Sequence, residues 1–524
     1  MRRHDLGSVT VEPPPAAGPA PDPAAGPAGT RRESSVPAVR PAARRRLGGI
    51  GRHRLITLLL ALAAVLRVVT MLGHRPAFLY YGDSYSYLRL GTSPEPLWGF
   101  QPSGYGMFLW LLSPLHSLVL VTAVQHILGL CTGLLVYALL RRHGLPAWGA
   151  TLAAVPVLFD GRALVIEHAI LSDTLFIFLT VAVVTVLSWS ARLSAVAAAS
   201  AGLLLALAAL TRTIALPLLV LALVAVAVRR VGLRPLLAMT VAGGLPIILY
   251  AAWYAGVHGR FTLAGGDGVA LWARTMTFAD CQVIRPPASE AWLCPNGSHQ
   301  DAASEYVWAD DSAINRPPDR RRESDPRPER WDNERARSFA FRAITAQPLD
   351  YVGAVARDVS LAFHWTPAPH PRRVAGAYRF SEGRSHPPAD KPTAIASLRA
   401  YDPSVHGWHS VSPYAGFLVS YQEIAQLRGP VLGGVLLLGV LGIRRRTWGA
   451  TVPWGAAMAL LVLPVAALDF DHRYVLPVTP VACVAAALGV ASRGRGRRAT
   501  NMIAANLAAT NLPGGLRGGR SPRR

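Results

Sequence analysis

Ten apolar blocks divide this chain, each near the roughly 17–25 residues that a helix needs to cross the hydrocarbon core of a bilayer. They cover about 55–73, 117–140, 146–160, 172–190, 194–210, 213–228, 235–256, 429–443, 449–468 and 473–490. The blocks at 146–160 and 429–443 are short and suit partly interfacial helices. Seven blocks come first, over residues 51–256. A polar stretch of about 170 residues, 257–427, follows, and three blocks over 428–490 close the pattern. This predicts an α-helical polytopic membrane protein of about ten transmembrane helices, with an extracytoplasmic domain between helices seven and eight. Nothing before the first block has the form of a cleaved signal peptide.

Composition agrees with the pattern: 51% of residues are hydrophobic and only 16% charged. The formal net charge of +23 would suit nucleic acid if it lay on one surface, but its distribution excludes that reading. The stretch to Arg54 carries ten Arg and four acids, and the stretch from Ala491 eight Arg and no acid. Arg141, Arg142, Arg192, Arg229, Arg230, Arg234, Arg444, Arg445 and Arg446 lie in short loops without acids. Together these stretches carry the whole net charge. With ten helices and a cytoplasmic N-terminus, all of them face the cytoplasm, as the positive-inside rule requires. This predicts a multi-pass plasma-membrane protein with both termini inside, and anionic inner-leaflet lipids as the contacts of its arginines. Arginine outnumbers lysine 52 to one, Lys391 being the exception. This fits a GC-rich coding sequence, so arginine at any one position says little about phosphate recognition.

Residues 1–50, rich in Pro, Ala, Gly and Arg, and the basic tail 491–524 are expected to be disordered, with a short helix possible over Met502–Leu512. The 257–427 stretch holds Trp272, Trp292, Trp308, Trp331, Trp365 and Trp408, enough to bury a core, and its centre over 315–334 reads as a mobile loop. Cys281 and Cys294 lie in this outer stretch, thirteen positions apart. An oxidising compartment predicts a disulfide between them. Cys131 and Cys483 fall inside apolar blocks and read as packing residues.

Four polar groups fall on the predicted outer face. The first is Asp83 in Gly82-Asp83-Ser84-Tyr85-Ser86-Tyr87, followed by Pro102-Ser103-Gly104-Tyr105. The second runs from Asp160 through Glu167 and His168 to Ser172 and Asp173, where Ser172 and Asp173 also suit the start of a helix. The third is Arg212. The fourth is Asp469-Phe470-Asp471-His472-Arg473-Tyr474 at the mouth of the last block. Interfacial belts account for tyrosines, and snorkelling for arginines, one by one. Their collection on one side does not follow from either.

Carboxylates suit deprotonation of an acceptor hydroxyl or a divalent metal ion, and arginines suit a phosphate. A donor with its phosphate at the membrane surface and its lipid tail in the bilayer would meet both. Phosphate is a good leaving group, so one positioned base suffices, unlike glycoside hydrolysis with its two carboxylates. A single in-line displacement inverts the anomeric carbon.

These motifs, with Gln125-His126, Ser172-Asp173-Thr174-Leu175-Phe176, Leu210-Thr211-Arg212 and the run from Arg473 to Pro480, resemble the GT-C membrane glycosyltransferases that use phospholipid-carried sugars, a group including protein O-mannosyltransferases and aminoarabinose transferases. The resemblance covers roughly 55–255 and 429–490. It implies a polyprenyl-phosphate sugar as donor, and a glycan, lipid or protein outside the cytoplasm as acceptor. It also implies a catalytic Asp in the first outer loop, which Asp83 matches. Some relatives carry two adjacent acids there; here Ser84 follows, leaving a divalent metal open. Asp173 takes the place of the second-loop acid, often Glu. The catalytic set expected is Asp83, Asp173 and Glu167. Arg473, with His472 or Arg212, is expected at the donor phosphate, and Tyr85, Tyr87 and Tyr105 against sugar or acceptor.

Two other classes share some of these features. A transporter or flippase of lipid-linked sugars would carry ionisable groups at mid-membrane, where Arg67 stands alone. An O-antigen-ligase-like oligosaccharide transferase would use Arg and His of a large late loop, such as His364, His370, His406 and His409.

Overall fold

The computed structural model describes residues 47–96, 98–190, 192–317, 331–386, 392–444 and 448–491. The readings for the two tails, for Met502–Leu512 and for most of 315–334 fall outside these residues. The described residues from Ile50 on form one compact unit. Its helices in order are α1 (Leu47–Gly73), α2 (Tyr81–Thr92), α3 (Gly104–Leu112), α4 (Leu118–Arg142), α5 (Ala147–Phe159), α6 (Gly161–His168), α7 (Asp173–Ser188), α8 (Ala195–Thr211), α9 (Ala215–Val228), α10 (Leu233–His258) and α11 (Asp267–Thr275). Further helices include Asn333–Ala346, Pro348–Ser360, Pro392–Tyr401, Tyr414–Ile424, Gly429–Arg444 and Trp448–Ala467. A last apolar helix lies within His472–Ala491.

Each of the ten apolar blocks is helical, but their lengths divide them. Among the described residues, five helices are long and apolar enough to cross a membrane: His53–Gly73, Leu118–Arg142, Leu233–His258, Gly449–Ala467 and His472–Ala491. Two blocks belong to bent pairs. α5 and α6 meet at 52°, and Tyr414–Ile424 meets Gly429–Arg444 at 53°, giving up to seven spans if each pair counts as one. The α7, α8 and α9 helices, of 16, 17 and 14 residues, are shorter. These helices make the chain a multi-pass membrane protein. Stripes of exposed apolar side chains on α1 (Leu55, Leu58, Leu62, Val65) and α10 (Leu237, Val241, Leu245, Ile248) recur every three or four residues. A helix face that meets lipid has this period.

The break between α5 and α6 is built by Asp160. Its Oδ1 accepts from the backbone N–H groups of Arg162 (2.8 Å) and Ala163 (3.1 Å), capping α6, and its Oδ2 accepts from Leu427 N at 2.8 Å. One side chain thus starts a helix and ties it to the second bent pair. Ser117 and Ser194 cap α4 and α8 through their hydroxyls. Ser172, which the sequence suggests as the cap of α7, makes no such bond. Its hydroxyl accepts from Tyr87 instead, at 3.0 Å.

The region read as the first outer loop is helical, forming α2 and α3. The 257–427 stretch does not stand apart from the helices. Tyr401 packs in one core with Leu88, Leu109 and Leu118, donates to Leu109 O at 2.9 Å, and is followed by Asp402, which accepts from Leu118 N at 3.0 Å. A further core gathers Trp272, Trp331 and Phe339, while Trp365 is exposed. Cys281 and Cys294, whose Cα atoms are 6.1 Å apart, form a disulfide beside that core. Three short strands, β1 (His74–Arg75), β2 (Arg384–Ser385) and β3 (Trp408–Ser410), make an antiparallel sheet in the order β1-β3-β2.

Candidate active site

Two backbone features bring the first outer segment onto the second. Phe78 and Ala169 form a parallel bridge, with Phe78 N donating to His168 O (2.9 Å) and Ile170 N to Phe78 O (3.0 Å). Buried Ser84 accepts from Tyr80 N and donates to Ile170 O, both at 2.8 Å. The residue beside Asp83 is therefore a structural clasp. Gly104, at the start of α3, abuts the Leu210 carbonyl so closely that a Cβ would overlap it. This contact draws α3 onto the end of α8, where Arg212 sits.

Asp83 lies in the first turn of α2. Arg473 Nη1 donates to its Oδ2 at 3.2 Å, across a sequence separation of 390. The guanidinium also lies 3.5 Å from Asp471 Oδ2 and 5.0 and 5.4 Å from the rings of Tyr80 and Tyr474. Arg212 also lies over the Tyr474 ring, at 5.4 Å, and pairs with Asp173. Tyr474 thus stands beside two arginines, Arg473 with Asp83 and Asp471 and Arg212 with Asp173. Two buried atoms here have no hydrogen-bond partner, Arg473 Nε and Asp173 Oδ2. Arg473 Nε faces only Asp471 Oδ2, at 3.5 Å, and Asp173 Oδ2 is an unused acceptor in a region where polar groups are normally satisfied.

Asp471 and two tyrosines complete the floor. The Tyr378 hydroxyl donates to Asp471 Oδ2 at 2.6 Å and lies 2.8 Å from the Tyr80 hydroxyl, the two rings stacking at 5.6 Å. Burial pushes the Asp471 carboxyl up, and Arg473 pulls it back. Burial likewise pushes both phenols up, so they stay neutral donors. The sequence reading passed over Tyr80, Tyr378 and the part played by Asp471. Tyr80 and Asp471 stand within the motifs, but nothing local marks Tyr378.

The other expected residues divide. Glu167 is buried with partners outside the Asp83–Arg473 group. Its Oε1 accepts from Arg67 Nη2 at 2.7 Å and its Oε2 meets His126 Nδ1 at 2.9 Å, both partners buried. Both its oxygens are engaged, and its charge is set against that of Arg67. Gly129 lies against this carboxylate, where a Cβ would collide. The pair also explains Arg67, the lone charge within the first apolar block. His472 turns to the Ala368 carbonyl, with Nε2 at 2.7 Å. Tyr105 is fully buried, donating to Gln125 Oε1 at 2.6 Å and standing edge-on to Tyr87 at 4.8 Å. Tyr87 is buried as well. Tyr85 is half-buried and lines a cleft of about 1070 Å³ on the neighbouring face of α2.

Among the described residues, no three His, Cys, Asp or Glu side chains converge as metal ligands. Asp83 has Arg473 as its close partner and buried Ser84 as its neighbour, so these residues do not fit a divalent ion. His409 is in β3, His370 packs against Phe470 and His364 is exposed.

No family model matches the chain, and no curated protein matches it. Solved structures with similarity to it include the S. cerevisiae protein O-mannosyltransferase Pmt1–Pmt2 complex bound to the sugar donor, at 16% identity and TM-score 0.32, over 48% of this chain and 38% of that one. Another is the apo Archaeoglobus fulgidus oligosaccharyltransferase, at 12% identity and TM-score 0.42, over 87% and 52%. A third is ArnT from Cupriavidus metallidurans bound to undecaprenyl phosphate, at 14% identity and TM-score 0.30, over 89% and 82%. The chain thus spans about half or less of the first two. These neighbours are GT-C glycosyltransferases, the kind that the sequence motifs resemble. Identities of 12–16% transfer no residue role to this chain.

Proposed function

We propose that this protein is a membrane glycosyltransferase that moves a sugar from a polyprenyl-phosphate donor to an acceptor outside the cytoplasm, with inversion. The observation that carries the reading is the pairing of Asp83 with Arg473 beside a second arginine, Arg212, with both arginines over Tyr474. The donor phosphate meets the two guanidiniums. Phosphate competes with Asp83 for Arg473 and so releases the carboxylate. Asp83 then takes the proton of the acceptor hydroxyl, whose oxygen attacks the anomeric carbon. The bond from that carbon to the phosphate oxygen breaks, and its electron pair leaves with polyprenyl phosphate. The arginines stabilise the charge that grows there. Asp173 holds Arg212 in place, and its unpartnered Oδ2 accepts from a sugar hydroxyl.

In this reading both termini are cytoplasmic, and 257–427 and the site lie on the opposite side. The test uses the full chain in lipid nanodiscs with a radiolabelled polyprenyl-phosphate sugar. Label appearing in a product free of the carrier, with an inverted anomeric centre, is the expected result. In sealed vesicles, label that crosses the bilayer still attached to its carrier, with no new glycosidic bond, would make the protein a transporter and overturn the reading.

A further inference from the structure

The cleft beside α2 is not used by the chemistry above. Its volume is about 1070 Å³. Residues of all three strands of the β1-β3-β2 sheet contribute to its lining, together with residues of α2, of the segment Gly376–Gly383 and of the helix Pro392–Tyr401. The residues from α2 are Gly82, Tyr85, Ser86 and Arg89, spaced as one helical face. Asp83 stands on the next face of the same turn, so the cleft borders the segment that carries the proposed base.

Its lining is strongly one-signed. Among the described residues, Arg75, Arg89, Arg379 and Arg384 face it against a single acid, Glu382. All four arginines are exposed, and among the described residues none pairs with a carboxylate. Neighbouring guanidiniums without counter-charges repel, and a cleft lined by one sign concentrates ions of the other. A second observation is independent of the charge. Two buried nitrogens in the wall have no hydrogen-bond partner: Nε2 of His74, a residue only 4% exposed, and Nε1 of Trp408. Burial also brings the His74 imidazole down to about 4, so it is neutral at ordinary pH. Unmet polar groups call for a ligand with hydroxyls, and Tyr85 and Trp408 offer rings to the apolar faces of a sugar.

We propose that this cleft is the acceptor site and that it selects a phosphate-bearing saccharide. The four arginines hold the phosphate, while His74, Trp408 and Tyr85 hold the sugar, whose free hydroxyl reaches toward Asp83. The inference rests on the transferase reading for its role, but binding tests it separately.

The test measures equilibrium binding of lactose 1-phosphate, lactose and inorganic phosphate to the full chain in nanodiscs. A further arm places phosphatidylinositol in the nanodisc, offering the same chemistry at a lipid headgroup. Lactose 1-phosphate or phosphatidylinositol is expected to bind at least tenfold more tightly than lactose or phosphate alone, and which of them does so tells a soluble from a lipid-borne ligand. Arg89→Gln and Arg384→Gln are each expected to weaken that binding about tenfold, as loss of a charge-assisted contact does. Arg335→Gln, which removes the same charge outside the cleft, leaves it unchanged. Equal affinity for phosphorylated and neutral saccharide, or equal effects of all three substitutions, would overturn the assignment. Binding without any sugar transfer would sink the transferase reading and leave the anionic-saccharide site standing.

Discussion

The mechanism turns on Asp83, and Asp83→Asn tests it with little change of shape. Asparagine keeps the size and one acceptor oxygen but takes no proton. The ion pair it removes is partly open to water, Asp83 being 29% and Arg473 14% exposed, so screening limits the stability lost to about 1 kcal/mol or less. Arg473 is not stranded. Asp471 stays 3.5 Å away, and the rings of Tyr80 and Tyr474 remain beside it. Loss of a general base costs about 10²–10⁴ in rate, roughly 3–5 kcal/mol of barrier. Chemistry and stability therefore separate. The variant should insert and unfold like the parent, while single-turnover transfer falls at least a hundredfold. Donor binding has its own sign. The phosphate no longer competes with a carboxylate for Arg473, so donor affinity should hold or rise. Transfer at near wild-type rate by a well-folded Asp83→Asn protein refutes the assignment, and Asp173 becomes the residue to examine.

Three other outcomes are expected. Arg67→Ala leaves Glu167 buried against His126 with its main counter-charge gone, a loss of about 3–5 kcal/mol; thermal unfolding should show a clear drop, and Glu167→Gln in the same background should recover part of it. Burial pushes the Asp469 carboxyl up to about 7 from its usual 3.8, so folding favours its protonated form. That contribution is complete below about pH 4 and is lost as pH rises through 7; the unfolding midpoint should fall over this window, and less so in Asp469→Asn, whereas identical profiles would reject it. A reporter active only in the cytoplasm, fused after Gly383, should be silent, and activity there would reverse the proposed orientation.

The helices were legible because the information is local. A block of apolar residues needs a helix wherever water is absent, since every backbone N–H and C=O must be satisfied within the segment. All ten blocks are helical for that reason. Their lengths and bends were less legible, because Asp160 decides one break by reaching Leu427, far along the chain. The acids and arginines drew notice by recurring at the ends of apolar blocks, and Asp83, Asp173, Arg212 and Arg473 do meet around Tyr474. Composition could not say which of the marked groups would be free. Glu167 and Asp83 look alike in sequence, yet one is sealed between Arg67 and His126 while the other meets a half-open arginine. Tyr105 and Tyr85 differ in the same way. Such differences depend on which faces of distant helices come together. A side chain's neighbours across 390 positions, as for Asp83 and Arg473, leave no period in the sequence. Packing alone decided which charges were neutralised and which kept an unused hydrogen bond.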